Sequence, residues 1–349
     1  MNNIEKKDAN SLGGGQKRIV YIDILNIAAC IAVIFLHMNG FAHHYAPNSL
    51  WKSSLVFECI FYWAVPIFLM ISGANLLDYR KRYDTKTFFK KRFTKILIPW
   101  IFWSFLTYLV LFKNLNIINF ISKFLSGDIV QIYWFFPLIL FMYCLIPILS
   151  PLTENKEGRN ILWGIVIVIA MFKSILIPLS NIFGFTIPEI ASNFIEINGY
   201  LIFVILGYLL SVMDVSRVKR IIIYIIGILS VIIRYGYTYC MSINANMLID
   251  HLFDYTSLLS VFLAVSVFLL IKNISWDKLN EKSVAVLASC TMGVYLIHIQ
   301  IKYTIFNTIF PFAQTNLIYR ILGTFCLYIL SVIIVLLIKK MPIINKVVP

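Results

Sequence analysis

The stretch IVYIDILNIAACIAVIFLHMN, residues 19–39, decides the architecture. About 20 mostly apolar residues in a row is what an α-helix needs to cross roughly 30 Å of hydrocarbon. The run is too long for a signal-peptide core and no small-x-small cleavage site follows it, so it is expected to stay in the protein as a helix. Outward from it, further apolar runs fall at about 54–77, 96–112, 132–152, 161–180, 194–212, 219–238, 253–272, 284–306 and 316–339, each bounded by charges, Asn, Gly or Pro. The fold class is therefore all-α, a polytopic integral membrane protein of about ten transmembrane helices. Composition agrees: 60% of the 349 residues are hydrophobic and 13% charged, against about 45–50% and about 25% in soluble domains, which excludes a soluble globule. An outer-membrane barrel is excluded too, because ten-residue strands alternating apolar with polar are nearly absent.

The net charge of +14 would suggest a nucleic-acid partner in a soluble protein, but topology accounts for it. With a cytoplasmic N-terminus, the inner segments hold 23 of the 30 Lys and Arg residues, as the positive-inside rule requires, and both termini are cytoplasmic. The partners expected on this ground are membrane lipid and no nucleic acid. Residues 1–18 read as a cytoplasmic tail, 19–340 as one ten-helix domain and 341–349 as a second cytoplasmic tail. The six cysteines are scattered without a CxxC pair and read as small buried hydrophobes, and no metal site is expected. P-loop, HExxH, GxSxG and dinucleotide fingerprints are absent, which removes support from ATP-driven transport, metalloprotease and serine-hydrolase readings.

Polar side chains at membrane depth are costly and must face a partner or a watery cavity. In the first span Asp23, Asn26, Cys30, Val33 and His37 share one helical face, so a polar stripe is expected to point into the bundle. His37 lies about 16 Å along the axis from Asn26, towards the outer end. Glu58 begins the returning span at the same end, sharing a face with Tyr62 and Ser72; beside His37 it would orient the imidazole as a general base needs, or else it is simply solvated. Pro66 and the Ser72-Gly73 pair are expected to kink or open that helix. Thr291, Tyr295, His298 and Lys302 form another face, with His298 either lining a cavity or packing. The segment 78–95 carries eight Lys or Arg against two Asp; it suits anionic lipid or a phosphorylated cytosolic ligand. Trp134, Tyr133 and Tyr143 read as belt and core aromatics.

Five of these segments together resemble the integral-membrane acyltransferase family 3. They are YIDILNIAACIAVIFLH (21–37), VPIFLMISGANLL (65–77), KKRFTKILIPW (90–100), WFFPLILFMYCLIP (134–147) and MGVYLIH (292–298), in the family's order across nearly the whole chain. The resemblance implies transfer of an acyl group, most often acetyl, from cytosolic acyl-CoA to a hydroxyl of a cell-surface or lipid-linked glycan. By it, His37 corresponds to the essential first-helix histidine, Asp23 to the acidic position near the helix start, Arg92 and Lys95 to the basic positions, and Tyr295 and His298 to the late motif. One departure stands out: Asn26 occupies a position where many members have Arg, and an amide cannot supply charge to a phosphate.

The expected site is thus His37 with Glu58 for catalysis, and Asp23, Asn26, Ser72, Arg92, Lys95, Tyr295 and His298 for substrate and cofactor, with acyl-CoA, by this reading acetyl-CoA, as co-substrate. His37 would act as general base or, equally open, as acyl carrier. A transporter or a glycolipid flippase or polymerase component is the alternative; it predicts inverted repeats, and the sequence shows no such symmetry. The Ile, Asn and Lys content suggests a bacterial plasma membrane.

Overall fold

The computed structural model describes residues 18–113, 115–172, 183, 186, 189–309, 316–342 and 344–349, with the backbone alone for 189–198. Among them every regular element is helical. The helices are α1 (Val20–Met38), α2 (Ser49–Phe61), α3 (Ala64–Leu76), α4 (Thr85–Phe112), α5 (Ile117–Ser126), α6 (Phe135–Leu149), α7 (Lys156–Met171), α8 (Glu189–Val212), α9 (Arg217–Ala245), α10 (Leu258–Asn273), α11 (Glu281–Ile301) and α12 (Leu317–Lys339). Seven helical stretches among the described residues are long and apolar enough to cross a membrane, and three further apolar helices are shorter. The polytopic helical class read from the sequence is what the structure shows. Residues 173–180 of the run expected at 161–180 lie outside the described residues.

Helix starts follow local chemistry. The side chains of Asn48, Asp84, Asn155 and Asn280 accept hydrogen bonds from the backbone N–H groups of Trp51, Thr87, Gly158 and Ser283, respectively, which satisfies donors that a helix leaves unpaired at its start. The cap at Asp84 extends α4 over much of the basic segment, so Arg92 and Lys95 stand on a helix and not in a loop.

The single span expected over 54–77 is two helices. Pro66 has no N–H to offer the Tyr62 carbonyl and its ring crowds that carbonyl, so the helix breaks at Tyr62–Trp63 and restarts with the bond from Ile67 N to Trp63 O. The expected opening at Ser72-Gly73 does not occur, and α3 continues through it. Gly73 is needed for proximity instead: a Cβ built there would lie 1.8 Å from the Val204 carbonyl oxygen, and one on Gly207 would lie 2.0 Å from that of Met70. The reciprocal notches seat α3 and α8 backbone to backbone.

Around this pair, α1 packs against α3, α11 and α12, and α9 packs on α10. Helix α5 is one the hydropathy reading missed; its Ile118 and Leu125 are exposed while Phe120 and Phe124 pack on α4. Residues 344–349, within the segment 341–349 read as a cytoplasmic tail, pack back on the bundle. Val347 and Val348 are buried, and Trp103 Nε1 donates to the Val347 carbonyl at 2.8 Å. The apolar character of this Val-Val-Pro segment explains its burial.

Candidate active site

The polar stripe of α1 faces α11, as its periodicity requires. Cys30 Sγ lies 3.8 Å from the Thr291 carbonyl oxygen. Two turns further along, His37 Nδ1 is 2.8 Å from His298 Nε2. The ring planes are within 13° of parallel and the centroids 5.0 Å apart. The excess of the centroid separation over the N···N distance is about two imidazole radii, so the rings meet edge to edge, the in-plane approach a hydrogen bond prefers. His37 is half-buried and His298 fully buried. His298 Nδ1 lies 3.0 Å from the Val294 carbonyl oxygen and 2.9 Å from that of Tyr295. Just beyond α11 the backbone widens into a π-helical turn over Lys302–Phe306, and from it Lys302 Nζ donates to the His37 carbonyl.

A cavity of about 250 Å³ opens between α1, α3, α4, α6 and α11. Five residues expected to bind substrate or cofactor line it together: Asn26, Ser72, Arg92, Lys95 and Tyr295. Phe135, Phe136, Ile139 and Met292 supply an apolar wall, and Pro349 of the folded-back segment reaches its rim. Arg92 donates from Nη2 to the Tyr83 hydroxyl at 3.3 Å, and its Nε is buried without a partner. An orphaned guanidinium N–H beside an exposed lysine is suited to phosphate oxygens. Tyr295 belongs to both places: it lines the cavity, and its ring centroid is 5.9 Å from that of His298. Its hydroxyl donates to the Ile132 carbonyl, and Tyr133 donates to the Leu296 carbonyl at 2.6 Å. These two tyrosines clamp α11 to the turn before α6 at the level of the histidines.

Three expected site residues lie elsewhere. Glu58 does not reach His37: its Oε2 accepts from Asn39 Nδ2 at 3.0 Å, and its Oε1 is 3.6 Å from His43 Nε2. The cause is local. Asn39 follows His37 as α1 ends and takes the carboxylate itself, while the break at Tyr62–Trp63 puts Glu58 and Ser72 on separate helices. Asp23 is held by a two-pronged contact with Arg18, which also donates to the Ala285 carbonyl at 3.0 Å, so it ties the starts of α1 and α11 together outside the cavity. His298 contacts the catalytic candidate and not the cavity.

Sequence reasoning missed the buried Arg320, whose Nη1 donates to Asn39 Oδ1 at 2.7 Å and Ser54 Oγ at 2.8 Å. A lone cation near the start of an apolar run was the available signal. Tyr133 carried no such signal, because an aromatic near a membrane boundary is common for other reasons. Among the described residues no group of His, Cys, Asp and Glu is placed to hold a metal ion.

A helical membrane bundle that pairs a half-buried histidine with a buried one, one tyrosine away from a basic-edged cavity, has the build of an integral-membrane enzyme. Residues 19–340 match the acyltransferase domain family Acyl_transf_3, and the chain belongs to that family. It is a membrane acyltransferase. No curated protein and no solved structure matches the chain.

Proposed function

We propose that the protein transfers an acyl group, acetyl in the first instance, from acyl-CoA to a hydroxyl of a cell-surface or lipid-linked glycan. The observation that carries this reading is the convergence of Asn26, Ser72, Arg92, Lys95 and Tyr295 on one cavity, from which the Tyr295 ring bridges to the His37–His298 pair. Arg92 and Lys95 hold the phosphates of the donor at the basic end, which the charge bias makes cytoplasmic. Asn75 and Ser72 offer hydrogen bonds to its amide-bearing arm, and the apolar wall receives the acyl thioester. Asn26 contributes an amide where charge is supplied by Arg92 and Lys95.

The donor supplies an activated thioester carbonyl. His37 takes the proton from the attacking hydroxyl as the new C–O bond forms, and returns it to the departing sulfur as the C–S bond breaks. The products are an ester and a free thiol, with no net proton change. A small cavity with aromatic walls fits a short acyl group better than a long chain. The location that goes with this reading is a bacterial plasma membrane.

The test is the alkali-labile ester content of the host's surface glycans, measured by NMR in the wild type, a deletion strain and a His37→Ala strain at equal membrane abundance. Loss of one acyl signal in both mutants is the expected result. Unchanged esters in all three overturn the glycan reading.

A further inference from the structure

The partner of His37 is a second histidine, and the backbone around that histidine assigns the protons of the pair. His298 Nδ1 stands 3.0 Å and 2.9 Å from two carbonyl oxygens, those of Val294 and Tyr295. Carbonyl oxygens only accept, so Nδ1 must carry hydrogen and donate to them. A neutral imidazole has one N–H, which leaves His298 Nε2 with a bare lone pair. That lone pair lies 2.8 Å from His37 Nδ1, nearly in the plane of both rings. Two bare nitrogens at that distance would repel, so His37 Nδ1 carries hydrogen and donates. His37 Nε2 is then the bare nitrogen of its ring, on the side away from His298.

We propose that His298 is the positioning residue of this enzyme: it locks His37 in the Nδ1–H tautomer, so that Nε2 is the atom that takes the hydroxyl proton. This rests on the acyl-transfer reading above and adds to it the tautomer and the residue that sets it. Among the described residues no carboxylate competes for the role: Glu58, the one expected there, is engaged by Asn39 and His43. Lys302 binds the carbonyl of His37 and leaves its ring free. In the reaction, the hydroxyl O–H proton moves to His37 Nε2 while the oxygen bonds to the thioester carbon. The same proton moves to sulfur as the C–S bond breaks, and the Nδ1–H stays with His298 throughout. The proton is held transiently on a ring that keeps its hydrogen bond, so charge develops without reorientation of the imidazole.

The test compares two amides in membranes carrying the full chain, with acetyl-CoA as donor, the host's extracted surface glycan as acceptor and ester formation as readout. His298→Asn keeps an N–H near the two carbonyls but leaves nothing at the Nε2 position. His298→Gln reaches that position with an amide oxygen able to accept from His37. The expected result is a fall in kcat of about 10²- to 10⁴-fold for His298→Asn, the range for losing an oriented general base, with KM for acetyl-CoA within about twofold. His298→Gln should recover at least tenfold of that loss.

A raised KM with unchanged kcat in His298→Asn would make His298 a substrate ligand and overturn the proposal. Equal losses in both amides, at wild-type melting temperature, would reduce it to packing. Should His298→Asn fail to accumulate, His298→Gln decides alone: kcat within about tenfold of wild type at unchanged KM supports the role, and a KM shift overturns it. His37→Ala is run beside them. An active His37→Ala, or a wild type that makes no ester, overturns the acyl-transfer reading and this proposal together, whereas an inactive His37→Ala with a fully active His298→Asn overturns only this one.

Discussion

Replacing Gly73 by alanine tests the seat of the whole site, because Ser72 and Asn75 line the cavity from the same helix. The new Cβ would lie 1.8 Å from the Val204 carbonyl oxygen, 2.6 Å from its carbon and 3.0 Å from its Cα. These are backbone atoms of α8 and no rotamer change relieves them. Ordinary van der Waals contact for a Cβ begins at 3.4 Å, so α3 and α8 must separate by about 1.5 Å over the crossing, forfeiting much of their close packing. Overpacking of this kind costs typically about 1–3 kcal/mol and sometimes more; with three backbone atoms in the way, the upper end, about 3 kcal/mol, is expected. At about 2 °C per kcal/mol for a chain of this size, the melting midpoint in detergent should fall by about 6 °C. Gly207→Ala meets the Met70 carbonyl oxygen at 2.0 Å across the same interface and should cost a similar amount. Once one alanine has spread the helices the second meets relieved space, so the double variant should cost clearly less than the sum of the singles. The measurement is thermal unfolding of the three variants and wild type, followed by size-exclusion fluorescence. Midpoints within 1 °C of wild type, or strictly additive losses, would show that the two helices do not meet backbone to backbone at these glycines.

Other consequences are as direct. Arg92→Ala removes the guanidinium from the basic edge of the cavity and should weaken acetyl-CoA binding about tenfold, about 1.4 kcal/mol, in calorimetry on protein in nanodiscs; unchanged affinity would place the donor elsewhere. Arg320→Leu deletes two buried charge-assisted hydrogen bonds and leaves Asn39 Oδ1 without its donor, while Ser54 Oγ keeps its bond to the Leu50 carbonyl, for an expected loss of about 3 kcal/mol in chemical denaturation, and an unshifted curve would deny that the network supports the fold. His43, between α1 and α2, is exposed, yet partial desolvation of its ring by the neighbouring chain holds it below the ordinary histidine range, with Asp250 opposing and His44 acting in the same direction. Its unfolded form therefore takes up a proton first as pH falls: the contribution to stability is complete above the ordinary histidine range and is lost as pH drops through it towards the lower folded value. Wild type should lose more of its melting midpoint between pH 7.5 and 5 than His43→Gln, and parallel profiles would refute the assignment.

The sequence by itself determined the helical membrane class and the inward direction of the first helix's polar face. Those features are set within one helix, by run length against bilayer thickness and by a 100° turn per residue. The grouping of Asn26, Ser72, Arg92, Lys95 and Tyr295 could be anticipated only through motif order, and the cavity between five helices is what unites them. Periodicity was carried across Pro66, where the helix breaks, so it joined Glu58 and Ser72 although they stand on separate helices. It also could not choose a partner for His37. Glu58, 21 residues away in sequence, was the near candidate, yet the ring meets His298, 261 residues away. A helical period says which side of a helix a residue faces, whereas packing between helices decides what stands opposite, and that depends on backbone approaches such as Gly73 on Val204. The tautomer of His37 lies one step further still, since it is set by two carbonyl oxygens that only the folded α11 aims at its partner.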